Sequence, residues 1–231
     1  MAVLVTVPKV TIGSETAGKM DFIVWTSIDY GLTRVGGPVL YYDDAPDFSS
    51  VKELCIVGHG SPGQIEGRPA ADMAKMLTKG SKKVPTSFRR LIVTSCYAGV
   101  TVGGKKGTAV IDVLAAALHK RGLKGIEISG AMGPSIKANE LGAVFKVVRD
   151  SKLDKAGKAQ NRQIIGHNLG VKQSDDSVAR YTGITTDPKL AEEAAKMMAK
   201  ISGEFYRDFV QDLEGKRTLF DPKNAMRTVY S

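Results

Sequence analysis

Two cysteines and three histidines are all that the 231 residues hold of the residue types that build disulfide frameworks and zinc sites. Two cysteines cannot form a framework, and their spacing from the histidines matches no zinc pattern, so no metal or other cofactor is required by the sequence. A reducing compartment is expected, where a cysteine that matters is more often catalytic. Long apolar runs are also missing, and none reaches the roughly 18–20 residues needed to span a bilayer as a helix. The opening stretch MAVLVTVPKV lacks a basic region before its apolar run and a small-residue cleavage site after it. It reads as a first strand rather than a signal peptide, so a cytoplasmic location is expected, or delivery into a target cell by a signal-free route. Repeats and low-complexity segments are absent. Gly103, Gly104 and Gly107 do not have the spacing of a phosphate-binding loop.

What is abundant is positive charge. Thirty-three basic residues against 24 acidic ones give a net charge of +9, a balance that invites polyanions. The charge is scattered in pairs such as Lys82-Lys83, Arg89-Arg90 and Lys105-Lys106, and there is one Trp. No helix-turn-helix or RNA-binding signature accompanies it, so a solvated surface is expected rather than a nucleic-acid interface.

Length and composition fit one large α/β domain over residues 1–231. Apolar, β-branched runs recur at Val3–Val7, Phe22–Thr26, Val39–Tyr42, Leu54–Val57, Leu91–Thr94 and Ile126–Ser129. The runs at 54–57 and 91–94 are apolar throughout, as in strands of a parallel sheet covered on both faces. Helical spacing lies between them. Residues 69–79 align Met73, Met76 and Leu77, with Pro69 near the start and Gly80 just past the end. Residues 108–121 align Val110, Ile111, Val113, Leu114, Ala117 and Leu118 before Gly122. A C-terminal helical extension at about 188–214 opens on Asp187-Pro188, with Leu190, Ala194, Met197, Ile201 and Phe205 on one stripe. The alternation from 54 to 129 predicts right-handed βαβ units in an open α/β sheet. Two polar loops, 100–107 and 151–162, are expected to be accessible to proteolysis.

Open parallel sheets place ligands at the carboxyl ends of their strands. Two consecutive strand ends carry chemistry: Gly58-His59-Gly60 after 54–57, and Ser95-Cys96-Tyr97-Ala98-Gly99 after 91–94. Neighbouring strands lie about 4.8 Å apart, which brings His59 and Cys96 within reach of each other. A thiol is effective as a thiolate, which an adjacent imidazole promotes, and the same imidazole can protonate a leaving amine. Gly60 permits a sharp turn and offers an N–H which, with that of Cys96, can hold an oxyanion. The pattern is that of an acyl-transfer site.

An apolar strand ending in His-Gly, followed roughly 35–50 residues later by one ending in a small residue and Cys, resembles the clan CD (caspase-like) cysteine peptidases. The stretch IVGHGSPGQIEGRPAADMAKML is most similar to the self-cleaving peptidase domains of RTX-type bacterial toxins. The resemblance covers about residues 20–150. It implies a caspase-like, open, mostly parallel sheet with helices on both faces, and His59 and Cys96 as the dyad with the Gly60 N–H in the oxyanion hole. It also implies a protein or peptide substrate, self-cleavage in a Lys-rich loop, and activation by inositol hexakisphosphate as an open possibility. Ser95-Cys96-Tyr97-Ala98-Gly99 departs from the caspase Gln-Ala-Cys-x-Gly pattern, so specificity for Asp does not carry over.

Specificity is expected from a pocket beside Cys96. Its walls would be the segment Asp21–Thr26, the residues before Cys96 with Ser95 packing under the cysteine, and Ala131-Met132-Gly133-Pro134. An acidic residue there, Asp21, Asp29 or Glu66, would select Arg or Lys. Cys55 reads as a core thiol. His167, followed by Asn168, is a competing base, and His119 reads as a surface residue at a helix C-terminus. The expected activity is that of a cysteine endopeptidase acting through a thioester. A cysteine-dependent acyltransferase or deamidase, and a non-catalytic caspase-like binding module, remain as alternatives.

Overall fold

The computed structural model describes residues 1–7, 22–133, 135–138, 143–148, 219–221 and 225–231. Its centre is a six-stranded sheet built from β1 (Ala2–Val5), β2 (Val39–Tyr41), β3 (Glu53–Val57), β7 (Arg90–Val93), β8 (Glu127–Ala131) and β12 (Met226–Tyr230). The spatial order is β12-β8-β7-β3-β1-β2. Five of these strands are parallel, and β12 closes one edge antiparallel to β8. The fold class is therefore α/β with a mostly parallel central sheet, as the alternation of apolar strands and helices predicts.

Side-chain alternation explains why the central strands are apolar throughout. Leu4, Leu54, Ile56, Leu91, Val93 and Ile128 point to one face, where they meet Met73 and Leu77 of α2 (Ala70–Thr78) and Val110, Ile111, Leu114 and Leu118 of α3 (Val110–Lys120). Val3, Val5, Cys55, Val57 and Ile92 point to the other, against Val24, Ile28, Tyr30 and Val35 of α1 (Phe22–Val35). A strand covered on both faces favours apolar side chains at successive positions, and the buried charge at the start of β3, Glu53, is paired with Arg89 and Arg90. Cys55 belongs to this second face and is buried, as expected of a core thiol.

Helix limits follow local chemistry. Pro69 immediately precedes α2, and Gly80 follows it with φ +75°. Gly122, at φ +87°, lets the chain turn back after α3, with its N–H donating to His119 O at 2.8 Å and that of Leu123 to Leu118 O at 3.0 Å. Both glycines sit where an L side chain would be strained.

The strand expected at Phe22–Thr26 is instead the first turn of α1. Five residues of apolar, β-branched character look like a strand when read alone. Over fourteen residues, Val24, Ile28, Gly31 and Val35 fall on one helical stripe facing the sheet. At Gly31 the helix comes so close that a Cβ would lie 3.0 Å from Cys55 Sγ and 3.1 Å from Val3 Cγ2. Asp29 falls within this helix, and Asp21 lies outside the described residues.

Two further sheets were not expected. Between β3 and α2 the chain makes a three-stranded meander: β4 (Gly60–Ser61), β5 (Gln64–Ile65) and β6 (Arg68–Pro69). A separate antiparallel sheet pairs β9 (Ser135–Ala138), β10 (Ala143–Val148) and β11 (Leu219–Asp221). The helix expected at about 188–214, the loop 151–162 and His167 lie outside the described residues. Among those described, no helix is long and apolar enough to cross a membrane.

Candidate functional site

Strand register sets the geometry. β3 and β7 pair in parallel from Glu53 with Arg90 to Ile56 with Val93, and the Thr94 N–H continues the ladder to Ile56 O at 3.0 Å. The same offset in sequence separates His59 from Cys96, so the two leave adjacent strands at one level of the sheet. The sheet order reverses at β1, beside β3, where the crevice of an open parallel sheet is expected. That position is occupied by Thr6, whose hydroxyl donates to Val57 O at 2.8 Å, and by Arg68, whose guanidinium donates to Thr6 O at 3.0 Å. Arg68 also lies 4.3 Å from the centre of the Tyr42 ring. The candidate nucleophile sits on the far side of β3, at the end of β7.

His59 is held by the meander. Pro62-Gly63 forms one turn with Gly63 at φ +80°, and Glu66-Gly67 forms the next with φ of +49° and +68°. Two consecutive positive φ values are the signature of a type I′ hairpin, whose twist matches its strands. Glu66 meets His59 twice: its N–H donates to His59 O at 2.9 Å, and its carboxylate accepts the His59 N–H. Glu66, a candidate for selecting a basic substrate residue, thus supports the histidine loop. The Pro-Gly and Glu-Gly pairs four residues apart were the sequence signal for this meander. Strands of two residues each carry no periodicity of their own.

Gly60 brings the two strand ends together. A Cβ on it would lie 2.3 Å from Cys96 O, 2.9 Å from Ser95 Cβ and 3.2 Å from Cys96 N. The backbones of the histidine and cysteine exits are therefore in direct contact, and no side chain fits between them. Because His59 and Glu66 form a hydrogen-bonded pair of the hairpin, Gly60 and Ile65 form the next, non-hydrogen-bonded pair. The Gly60 N–H accordingly points away from β5. The loops also meet further out, where a Cβ at Gly63 would come 2.7 Å from Val102 Cγ2.

Cys96 opens a tight turn. Tyr97 adopts φ +62°, a left-handed conformation that costs a non-glycine residue about 1–2 kcal/mol. Backbone bonds hold it: Tyr97 N–H to Gly133 O at 3.2 Å, Gly99 N–H to Ala131 O at 2.8 Å, and Ile111 N–H to Ala98 O at 3.1 Å. Gly99 and Gly130 let this turn lie on β8, since a Cβ at Gly99 would come 2.8 Å from both Gly130 O and Met132 Sδ. Cys96 is half-buried and His59 exposed. Ser95 is fully buried, and its hydroxyl has no hydrogen-bond partner among the described residues.

Of the expected pocket walls, Ser95 and Ala131 are closed to solvent, while Met132 is partly exposed beside Gly99. His119 is exposed on the last turn of α3. The loop after the cysteine carries a short 3₁₀ turn (Val102–Gly104), tied down by Thr108, whose hydroxyl accepts the Val102 N–H at 2.8 Å and donates to Lys105 O at 2.6 Å. Arg227, not a candidate from sequence, reaches from β12 to Gly99 O at 3.1 Å. Among the described residues no group of three His, Cys, Asp or Glu side chains is placed to hold a metal ion. No protein-family model, curated protein or solved structure matches the chain.

Proposed function

We propose that the chain is a caspase-like cysteine endopeptidase in which Cys96 is the nucleophile and His59 its acid–base partner. The observation that carries this reading is the contact of the two strand exits at Gly60, on one register level of β3 and β7. A half-buried Cys96 and an exposed His59, on strand exits that touch at the carboxyl edge of a parallel sheet, fit a site that a peptide can enter. The mostly parallel sheet with helices on both faces fits the resemblance to clan CD.

The Cys96 thiol yields its proton to His59 as sulfur attacks the scissile carbonyl carbon. The tetrahedral oxyanion is held by the N–H groups of Gly60 and Cys96, each worth several kcal/mol to such a transition state. On collapse, the C–N bond breaks and the imidazolium gives its proton to the leaving amine, leaving a thioester on Cys96. His59 then takes a proton from water, hydroxide adds to the thioester carbon, and the sulfur leaves with the proton returned. No metal enters these steps. Self-cleavage in the Lys-rich loops 100–107 and 151–162, activation by inositol hexakisphosphate, and action within the cytoplasm or a target cell belong to the same reading.

Peptide-library digestion read by mass spectrometry tests it, with Cys96→Ala and His59→Ala beside the native chain. Cleaved peptides are expected from the native chain, with loss on the order of a thousandfold or more in both variants. Modified but uncleaved peptides would show an acyltransferase or deamidase using the same thiol. Cleavage that persists in Cys96→Ala would overturn the assignment.

A further inference from the structure

The turn that presents Cys96 is fastened by a side chain from the far end of the sequence. Arg227, on β12, donates through Nη1 to Gly99 O at 3.1 Å and to Asp112 Oδ2 at 3.2 Å, and through Nη2 to Asp112 Oδ1 at 2.7 Å. This is a two-pronged pair with a carboxylate that is itself largely buried in the first turn of α3. One guanidinium thereby joins β12, the cysteine turn and α3. β12 packs closely on the turn here, since a Cβ at Gly99 would lie 3.3 Å from Arg227 Cβ.

Tyr97 gives this clamp its consequence. A left-handed tyrosine persists only where its surroundings over-determine it. The other anchors of the turn are backbone bonds, which relax together if the turn relaxes. The arginine fork is fixed by its carboxylate and does not follow the turn.

We infer that Arg227 is a positioning residue for Cys96, holding the Tyr97–Gly99 turn so that the thiol faces His59. The inference rests on the dyad reading. It acts through the turn, since Arg227 bonds Gly99 and Asp112 rather than the cysteine.

The test is a double-mutant cycle on Cys96 alkylation by iodoacetamide, followed by peptide mass spectrometry with buried Cys55 as the internal reference. His59→Ala is expected to slow Cys96 alkylation at neutral pH by about tenfold or more in the Arg227 protein, and by less than about threefold in Arg227→Met. Arg227→Lys keeps charge and reach without the fork and is expected to restore part of the His59 dependence. An equal effect of His59→Ala in both backgrounds overturns the proposal and leaves the dyad standing. No effect of His59→Ala in the Arg227 protein removes the dyad, and the proposal with it. If Arg227→Met fails to fold, Arg227→Lys and Arg227→Gln carry the same cycle, and full His59 dependence in both overturns the proposal.

Discussion

Gly60 and Ser95 face each other beneath the candidate nucleophile, and each makes a separate demand. An alanine at 60 forces its methyl against the backbone carbonyl of Cys96, which does not yield without moving a strand exit. Gly60→Ala is expected to destabilise the fold by about 1–3 kcal/mol and to lower kcat/KM at least a hundredfold. Gly67→Ala is the control. At φ +68° with no atom within 4 Å of its would-be Cβ, it bears strain of about 1–2 kcal/mol and leaves cleavage intact. Parallel denaturation curves and peptidase assays separate the two. Ser95 carries a hydroxyl that is buried without a partner among the described residues. Removing such a group relieves its desolvation cost, so Ser95→Ala is expected to raise stability by about 1 kcal/mol in urea unfolding. A loss of that size would instead reveal a partner for the hydroxyl.

Among the elements, α1 is where short-range reading of the sequence fails and long-range periodicity succeeds. Its head, Phe22-Ile23-Val24-Trp25, is as apolar and branched as a strand; only the recurrence at Ile28 and Val35 marks a helix. The strip it covers, with that of β2 beside it, contains two phenols with a consequence for pH. Burial holds Tyr30 above its ordinary value of 10.0, with Arg34 drawing it partly back, and burial followed by Asp44 raises Tyr41. A phenol whose folded value exceeds its unfolded one adds stability that is complete below about pH 10 and is lost as pH rises through the folded value. Urea midpoints are therefore expected to fall above about pH 10, and to fall less steeply in Tyr30→Phe and Tyr41→Phe. Identical slopes in all three proteins would deny both groups a part.

At the scale of the molecule, the strands that matter most were the most legible. Leu54–Val57 of β3 and Leu91–Val93 of β7 are apolar and covered on both faces, and the ends of these runs stood out as Gly58-His59-Gly60 and Ser95-Cys96. The two motifs share a register because the offset between strands equals the offset between motifs. The meander was hidden because strands of two residues carry no pattern. The edge strand β12 was hidden because its Met-Arg-Thr-Val-Tyr is half-exposed and mixes charge with apolar residues. That strand supplies Arg227, whose role depends on a contact between residues 128 positions apart that no local spacing encodes.

The convergence of the two exits is open to a direct chemical measurement. In a Cys55→Ala background, where Cys96 remains the native thiol, His59→Cys places a second thiol at the end of β3. A disulfide requires Cα atoms roughly 4.4–6.8 Å apart. Mild oxidation is expected to close an intramolecular bond between positions 59 and 96, seen as one linked peptide pair after digestion. Two free thiols, or linkage only between separate molecules, would contradict the placement of His59 beside Cys96.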